Sequence, residues 1–302
     1  MLDTTKPRRL SRRAFVKLSV LASAAITALA VYAVGIERNC LFTRRQDIFI
    51  RDLPRALHDL KIGLLCDLHR GPIMSRDRVE RAVAAVAAET PDIVVMPGDF
   101  VSYWPEYAAE YKETLAPLNP PLGIFACTGN HEYWTDPGAV SAALRDAGVT
   151  VLRNQHQLVS VSEAQLCIIG IDDIGATRHP LHPDIPADDL PAALDGSPTT
   201  DVTRLLLAHN PIFAARPAFV AQTAGYPIHL MLSGHTHGGQ VRLPLIGAPQ
   251  LLYWPGARLF ENRLARIGDT QVYVSRGAGD SVPVRFNCPP EVNILTLRMA
   301  QA

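Results

Sequence analysis

The chain contains few cysteines and has no excess of charge of either sign. The 302 residues include five cysteines, an odd number without regular spacing, so the pattern does not make a disulfide framework. The 29 basic residues equal the 29 acidic residues, and the formal net charge is +0 at pH 7. A protein that binds nucleic acid normally carries a basic excess. The composition therefore argues against a nucleic-acid partner, and the sequence also lacks internal repeats and low-complexity tracts.

The N-terminal segment departs from this even charge distribution. Six basic residues and a single acid precede residue 18, and residues 18–36 are uncharged and rich in Ala, Leu and Val. A positive region followed by an apolar region is typical of an export signal. The apolar run is also about as long as a bilayer-spanning helix requires. We therefore interpret residues 1–45 as a signal or membrane anchor and residues 46–302 as one domain.

Residues 11–17, SRRAFVK, resemble the twin-arginine motif that directs folded proteins to export, with Arg12 and Arg13 followed by Phe15 and Lys17. This resemblance implies the twin-arginine translocation machinery as a partner. It also implies a location at the inner membrane, in the periplasm or in the cell envelope. An ordinary membrane anchor with a basic cytoplasmic flank is the alternative interpretation. No cleavage site stands out, so removal and retention of the segment both stay open.

Apolar strand-like runs alternate with helical patterns in the first half of the domain, and the second half is richer in strands. Apolar spacing predicts helices over 77–88, 108–118 and 137–147. Short apolar runs predict strands near 61–66, 93–96, 124–127, 149–152, 158–161, 166–171, 204–208, 228–232, 271–275 and 293–298. This order predicts an α/β fold in which two sheets pack as a β-sandwich flanked by helices.

Metal-ligand residue types follow five of the predicted strands. In α/β sheets, ligand sites collect at the carboxyl ends of the strands. The residues at these positions are Asp67, His69, Asp99, Asn130, His209, His235 and His237. Mixed oxygen and nitrogen donors suit several divalent metals, and seven donors suffice for two ions. The two imidazoles in GHTHGGQ, residues 234–240, would then give each ion one ligand.

The same residues form the motifs of the calcineurin-like metallophosphoesterase family, which the chain resembles from about residue 60 to residue 298. The motifs are DxH at 67–69, GD at 98–99, GNH with a following acid at 129–132, an isolated His209, and GHxH at 234–237. The chain is still more similar to a bacterial branch of membrane-associated or twin-arginine-exported phosphodiesterases. That branch shares DLHxG at 67–71, GHTHGGQ at 234–240, SRG at 275–277 and CPPE at 288–291.

The resemblance implies a four-layer αββα domain with two divalent metal ions, for which Mn, Fe, Zn, Ni and Mg are all suitable. The implied ligands are Asp67, His69 and His237 for the first ion and Asn130, His209 and His235 for the second, with Asp99 as the bridge. A hydroxide that bridges the metal ions would be the nucleophile. His131 would stabilise the transition state or protonate the leaving oxygen. Glu132 either orients His131 or lies behind the ligands.

The implied reaction is hydrolysis of a phosphodiester or pyrophosphate. The substrate would be a small molecule or a lipid-linked phosphate, since some members of this branch act on UDP-diacylglucosamine in lipid A synthesis. A broad phosphomonoesterase and a non-catalytic metal-binding envelope protein are the alternatives. Protein serine/threonine phosphatases of the superfamily carry GDxVDRG, whereas residues 98–103 here read GDFVSY. The missing Asp-Arg pair argues against that class.

A few residues near or outside the motifs have two interpretations each. Arg276, in a glycine-rich turn, would either bind a substrate phosphate through its guanidinium group or lie on the surface. Tyr133 and Trp134 would either stack on a substrate or pack beneath their loop. His179 and His182 are spaced like a ligand pair, but their proline-rich surroundings favour a solvated loop.

Overall fold

Two six-stranded sheets pack face to face in the computed structural model, with helices on the outer faces. The structure describes residues 11–173, 188–216, 218–219, 223, 225–249, 260 and 263–300. The helices in these ranges are α1 (Arg12–Val31), α2 (Arg76–Ala87), α3 (Tyr111–Thr114), α4 (Asn130–Trp134), α5 (Pro137–Asp146) and α6 (Leu190–Leu194). The predicted fold class, a two-sheet α/β sandwich with an N-terminal apolar helix, is confirmed.

The first sheet has the strand order β1-β12-β2-β3-β4-β5. Its strands are β1 (Phe42–Ile50), β2 (Lys61–Leu64), β3 (Ile93–Pro97), β4 (Ile124–Cys127), β5 (Val149–Val151) and β12 (Glu291–Met299). Strands β2 to β5 are parallel, and β12 runs antiparallel to β2 but parallel to β1. Because β2, β3 and β4 share one direction, the residues that follow them meet at one edge of the sheet.

The second sheet has the order β10-β11-β9-β8-β7-β6. Its strands are β6 (Gln155–Val161), β7 (Ala164–Gly170), β8 (Val202–Leu207), β9 (Leu230–Ser233), β10 (Leu264–Ile267) and β11 (Thr270–Val274). The central strands β7, β8, β9 and β11 are parallel, and antiparallel strands β6 and β10 close the two edges. The residues after β8 and β9 therefore also meet at one edge.

Alternating side chains divide the core into three layers. On β8, Leu205 and Leu207 enter the layer between the two sheets, and Leu206 enters the layer on the outer face. Successive strand residues point to opposite faces, so a strand that is buried on both sides needs a continuous apolar run. Helix α2 covers the first sheet with an apolar face spaced three and four residues apart, which includes Val79 and Val83. Full burial of one such valine contributes about 1.5–3 kcal/mol.

Two elements differ from their predictions. The helix expected over 108–118 is a 3₁₀ turn, Pro105–Glu110, followed by the single turn of α3. Strand β1 was not predicted, because its residues 44–47 are polar and most of the strand is not buried. The boundary that we placed between residues 45 and 46 falls inside β1, and the division of the chain into an N-terminal segment and a domain stays a prediction.

Helix α1 differs from the other helices of the described residues because none of its residues is buried. Its N-cap is Ser11, whose side chain accepts a hydrogen bond from the amide of Ala14 at 3.2 Å. Helical turns continue beyond α1 as far as Asn39. By length and composition, the helical segment Arg12–Asn39 can cross a membrane. An exposed apolar helix needs an apolar environment from outside the domain, which a bilayer supplies.

Candidate metal centre

The predicted ligands lie at the edges where the two sheets meet, each directly after a parallel strand. The first sheet supplies Asp67 and His69 after β2, Asp99 after β3, and Asn130 after β4. The second sheet supplies His209 after β8 and both His235 and His237 after β9. The strand direction in each sheet explains this convergence, because every one of these residues follows a carboxyl end.

One group of donors contains Asp67, His69 and His237, whose candidate ligand atoms all lie within 4.8 Å of one another. The Nε2 atoms of His69 and His237 are 2.9 Å apart. The Nε2 atom of His237 is 3.8 Å from Oδ1 of Asp67. All three side chains are buried. Two imidazole nitrogens and a carboxylate that converge in this way resemble a cation site more than a packed core.

A second group contains Asp99, His209 and His235 within the same 4.8 Å limit. The Nε2 atom of His209 is 3.1 Å from Oδ2 of Asp99 and 3.1 Å from Nδ1 of His235. The side-chain oxygen of Asn130 is also 3.1 Å from His209 Nε2. Asp99 Oδ2 lies 3.4 Å from Nε2 of His69 as well. The Asp99 carboxylate therefore faces both groups, as a bridging ligand must.

Two buried atoms test whether these residues fit a metal ion. Oδ2 of Asp67 and Nδ1 of His69 have no hydrogen-bond partner among the residues that the structure describes. A buried polar atom without a hydrogen bond is unfavourable unless an ion, a water molecule or a ligand binds it. Left-handed backbone conformations, unusual for residues other than glycine, occur at Asp67, His69, Asp99, His235 and His237. Strain of this kind concentrates at functional sites, and the donor set fits divalent cations.

Glycines let the loops approach one another closely. A Cβ atom at Gly234 would overlap Oδ2 of Asp67, and a Cβ atom at Gly129 would overlap Oδ1 of Asp99. The backbone also positions the donors, since the amide of His235 donates to Asp67 Oδ1 at 2.8 Å. Nδ1 of His209 is 2.8 Å from the carbonyl oxygen of Pro97, which leaves Nε2 directed at the centre.

Burial and neighbouring charges set the pKa values of the donors. Burial lowers the pKa of His69 and of His235 to about 3, so both imidazoles are neutral at neutral pH, the form that binds metal. Burial raises the pKa of Asp67 to about 6. Burial also acts to raise the pKa of Asp99, but the surrounding imidazoles, His209 first, outweigh it and hold that pKa well below its usual value. A divalent cation would stabilise both carboxylates in their ionised form.

His131 lies beside the donors, with its ring centroid 4.5 Å from that of His69. Its Nδ1 atom is 2.9 Å from the carbonyl oxygen of Ser102 and donates to it in the neutral tautomer with that proton. Nε2 is then the ring nitrogen that points away from the Ser102 carbonyl. A donor atom of His131 also lies within 4.8 Å of donors from His69 and Asp99. Geometry alone therefore admits His131 as a ligand, and its separate catalytic role stays a prediction.

Glu132 holds two ligand-bearing loops together. Its carboxylate accepts hydrogen bonds from the backbone amides of Asp99 at 2.9 Å, Phe100 at 2.8 Å and Gly129 at 2.7 Å. The Glu132 side chain is buried, and burial followed by repulsion from Asp99 raises its pKa to about 7. Of the two interpretations of Glu132, these contacts favour a place behind the ligands, because the Ser102 carbonyl is what orients His131.

The remaining sequence candidates have separate outcomes. Arg276 packs against Gly238, next to His237, and its Nε atom is buried without a hydrogen-bond partner among the described residues. Its predicted contact with substrate stays a prediction. Tyr133 is buried, whereas Trp134 is half exposed with its ring centroid 4.3 Å from that of His131. The pair at positions 179 and 182 lies outside the described residues.

Two exposed aromatic residues near His131 were missed. Tyr103 and Trp104 are about half exposed, and the ring of Tyr103 is 6.5 Å from that of His131. Together with Trp134 they form an exposed aromatic patch beside His131. A sequence signal existed, because aromatic residues directly follow two ligand motifs, in GDFVSYW and in GNHEYW.

Comparison with known proteins agrees with this geometry. The calcineurin-like phosphoesterase family model matches residues 60–239, so the chain belongs to that family of metal-dependent phosphoesterases. It is 32% identical over 248 residues to the phosphodiesterase YaeI of Escherichia coli, an alignment that covers 78% of this chain and 82% of YaeI. It is 29% identical over 305 residues to the uncharacterized metallophosphoesterase YkuE of Bacillus subtilis, covering 96% and 99% of the two chains.

A transmembrane protein with a metallophosphoesterase domain from Danio rerio is 33% identical over 290 residues, covering 93% of this chain and 63% of that protein. This chain therefore spans less than two thirds of the length of that relative. The relative's name and the exposed apolar helix α1 both indicate association with a membrane. The comparisons thus define a hydrolase of the metallophosphoesterase class, and among the relatives with a named activity is a phosphodiesterase.

Proposed function

We propose that this protein is a two-metal phosphodiesterase or pyrophosphatase in which Asp99 bridges the ions. The observation that carries the proposal is the position of one carboxylate oxygen, 3.4 Å from His69 Nε2 and 3.1 Å from His209 Nε2. Two divalent ions would neutralise charge on a phosphate and lower the pKa of a water molecule. The proposed ligands are Asp67, His69 and His237 on one side and Asn130, His209 and His235 on the other.

His131 is the residue that we propose to act on the substrate directly. Its ring orientation is fixed by the bond from Nδ1 to the Ser102 carbonyl, and in the doubly protonated imidazolium the Nε2–H group would donate to a phosphate oxygen. In that form His131 would donate its Nε2 proton to the leaving oxygen or stabilise negative charge in the transition state. Its backbone amide donates to Oδ1 of Asp99 at 3.0 Å, so the catalytic ring and the bridging carboxylate are held in one arrangement.

The proposed substrate is a small or lipid-linked phosphodiester of the cell envelope, such as a UDP-linked diacylglucosamine. Support comes from the exposed aromatic patch of Tyr103, Trp104 and Trp134 beside His131, since aromatic faces bind apolar and aromatic groups. Arg276 would bind a second phosphate oxygen, and its position against Gly238, next to the proposed ligand His237, supports that role. The apolar helix α1 would keep the enzyme at the membrane.

We also propose export through the twin-arginine route. The motif SRRAFVK coincides with the start of α1, where Arg12 and Arg13 are exposed and accessible to a receptor. The proposed ligands come from loops on both sheets, so the complete centre forms only in the folded domain. A protein exported in its folded form would therefore bind its metal before export.

Metal depletion and restoration test the activity. The full chain in detergent is stripped with a chelator, and hydrolysis of bis-p-nitrophenyl phosphate is compared with hydrolysis of p-nitrophenyl phosphate after Mn²⁺ is added. We expect cleavage of the diester that depends on metal. Faster cleavage of the monoester with negligible diester cleavage would identify a phosphomonoesterase. Two bound ions without cleavage of either ester would favour the non-catalytic metal-binding protein.

A further inference from the structure

An exposed apolar turn lies next to the metal centre. Leu243, Leu245 and Ile246 occupy the tight turn 243–247, which is closed by hydrogen bonds between the backbone groups of Leu243 and Gly247 at 2.7 and 2.9 Å. All three are exposed, and Leu245 is completely so. A single exposed apolar side chain is ordinary on a protein surface, but three in one short turn form an apolar patch that is typical of an interaction site.

A further exposed apolar residue lies in a segment that is bonded to Gln240, three residues before the turn. Val282 is exposed, and its carbonyl oxygen accepts a hydrogen bond from the Gln240 side chain at 2.9 Å. The Gln240 amide donates to the carbonyl of His237, so Gln240 connects the metal-binding loop to Val282. We call Leu243, Leu245, Ile246 and Val282 the apolar rim. Arg242, which precedes the turn, donates from Nη1 to the Gly238 carbonyl at 3.2 Å, so the residue before the rim is bonded to the loop of His237.

The apolar rim is also joined to the end of the apolar helix. The amide of Arg242 donates to the carbonyl of Phe286 at 2.8 Å, and the Phe286 ring packs edge-on against the ring of Tyr32, with centroids 6.3 Å apart. The amide of Arg285 donates to the carbonyl of Ala33 at 3.1 Å. The rim therefore lies where the helical segment that can cross a membrane meets the domain.

The end of this helix is firmly attached to the domain. The buried carboxylate of Glu37 accepts hydrogen bonds from the backbone amides of Asn287, at 2.8 Å, and Cys288. Arg38 forms an ion pair with the buried Asp280 at 3.0 Å, and Asp280 also binds Arg285 at 2.7 Å. A helix held by these bonds sets the orientation of the domain against a membrane, whereas a loose linker would not.

We propose that the apolar rim inserts into the surface of the bilayer that the N-terminal helix crosses, and that this contact directs the metal centre at lipid headgroups. The bilayer is the occupant that the structure favours, because the rim is continuous with the root of a helix that itself needs an apolar environment. The substrate class that follows, a phosphodiester carried in a lipid headgroup, rests on the proposed function. The membrane contact itself does not depend on activity.

A fluorescent label measures the contact directly. The full chain is prepared with Cys40→Ser, because Cys40 is the exposed cysteine and the other four are buried. An environment-sensitive dye is attached at Leu245→Cys or, as a matched control, at Leu158→Cys, an exposed apolar position on β6. The proteins are reconstituted in phosphatidylcholine–phosphatidylglycerol vesicles with brominated acyl chains.

We expect a blue-shifted emission and quenching by brominated lipid at position 245 and neither at position 158. Equal solvent exposure at the two positions would overturn the proposal. A blue shift at 245 that brominated lipid does not quench and that grows with protein density would also overturn it, because it would identify a second copy of the chain as the partner.

Activity supplies the second test. Leu245→Glu and Leu158→Glu are compared on phosphatidyl-p-nitrophenol in vesicles and on soluble bis-p-nitrophenyl phosphate. Leu245→Glu should lower the ratio of lipid to soluble hydrolysis about tenfold, as expected for losing one buried leucine contact. Leu158→Glu should leave the ratio unchanged. An unchanged ratio in Leu245→Glu would overturn the assignment of a lipid substrate. Wild-type protein that cleaves neither ester would refute the proposed function, and the label would still report on the rim.

Discussion

Replacing Glu132 tests how the metal-binding loops are held. Its carboxylate accepts four backbone amides, those of Asp99, Phe100 and Gly129 at 2.7 to 2.9 Å and that of Val101 at 3.3 Å. Glu132→Ala would leave these donors without an acceptor in a buried place. An unsatisfied buried amide costs about 1–3 kcal/mol, and neighbouring losses do not add fully.

The raised pKa of Glu132 moderates the expected loss. Burial and the Asp99 charge raise the pKa of Glu132 and so oppose its ionised form, which offsets part of the hydrogen-bond energy. We therefore expect Glu132→Ala to lower the free energy of unfolding by about 3 kcal/mol, and Glu132→Gln, which keeps one acceptor oxygen, by about 1–2 kcal/mol. The first loss is a large share of the roughly 5–15 kcal/mol that stabilises a domain.

Urea denaturation followed by circular dichroism, with the protein in detergent and a chelator, measures these changes. Glu113→Gln is the control, because the Glu113 side chain is 72% exposed and its ion pair with Arg76 lies on the surface. We expect that substitution to change stability by less than about 0.5 kcal/mol. If Glu132→Ala lost no more than the control, the reasoning that Glu132 ties the two loops together would be wrong.

Three further predictions concern the centre and its supports. His131→Ala should retain the bound metal and lose about 10²–10⁴-fold in kcat, measured by metal analysis and steady-state kinetics; loss of metal would instead make His131 a ligand. Burial acts to raise the pKa of Glu291, but Arg263, bonded at 2.7 and 3.0 Å, outweighs burial and lowers it. The ion pair therefore stabilises the fold at pH values above the ordinary carboxyl pKa, and this stability is lost as the pH falls below that value. Between pH 6 and pH 3.5 the Tm should therefore fall more steeply for the wild type than for Glu291→Gln. Finally, a chelator should lower the Tm and Mn²⁺ should restore it, because ions that bind the folded centre favour the folded state; an identical Tm with and without metal would contradict this.

The positions of the seven proposed ligands could be predicted from the sequence because each depends only on residues nearby in the chain. Each follows an apolar run within a few residues, and parallel strands bring their carboxyl ends together whatever the detailed packing. The structure brings all seven to one place, and Asp99 between the two groups. Their roles as ligands stay predictions, since geometry would also admit His131.

Other features depend on contacts between distant segments and could not be predicted. Glu132 binds amides about thirty residues earlier in the chain, at positions 99 and 100, a contact that depends on how β3 and β4 are placed side by side. Tyr133 and Trp134 are adjacent and aromatic, yet one is buried and the other half exposed. Only the direction of the short helix α4 decides which ring packs inside. Strand β1 escaped notice because its pairing with β12, and not its own hydrophobicity, makes it a strand.

The pairing of β1 with β12 has a consequence for synthesis of the protein. Strand β12 lies between β1 and β2, so the first two strands of the described residues are joined only through the last described strand. Until residues 291–299 leave the ribosome, β1 has no partner and β2 presents an open edge, both close to an apolar helix. Contacts so far apart in sequence form slowly. The first sheet is therefore completed only after residues 291–299 have been synthesised, and until then its unpaired strands are open to aggregation.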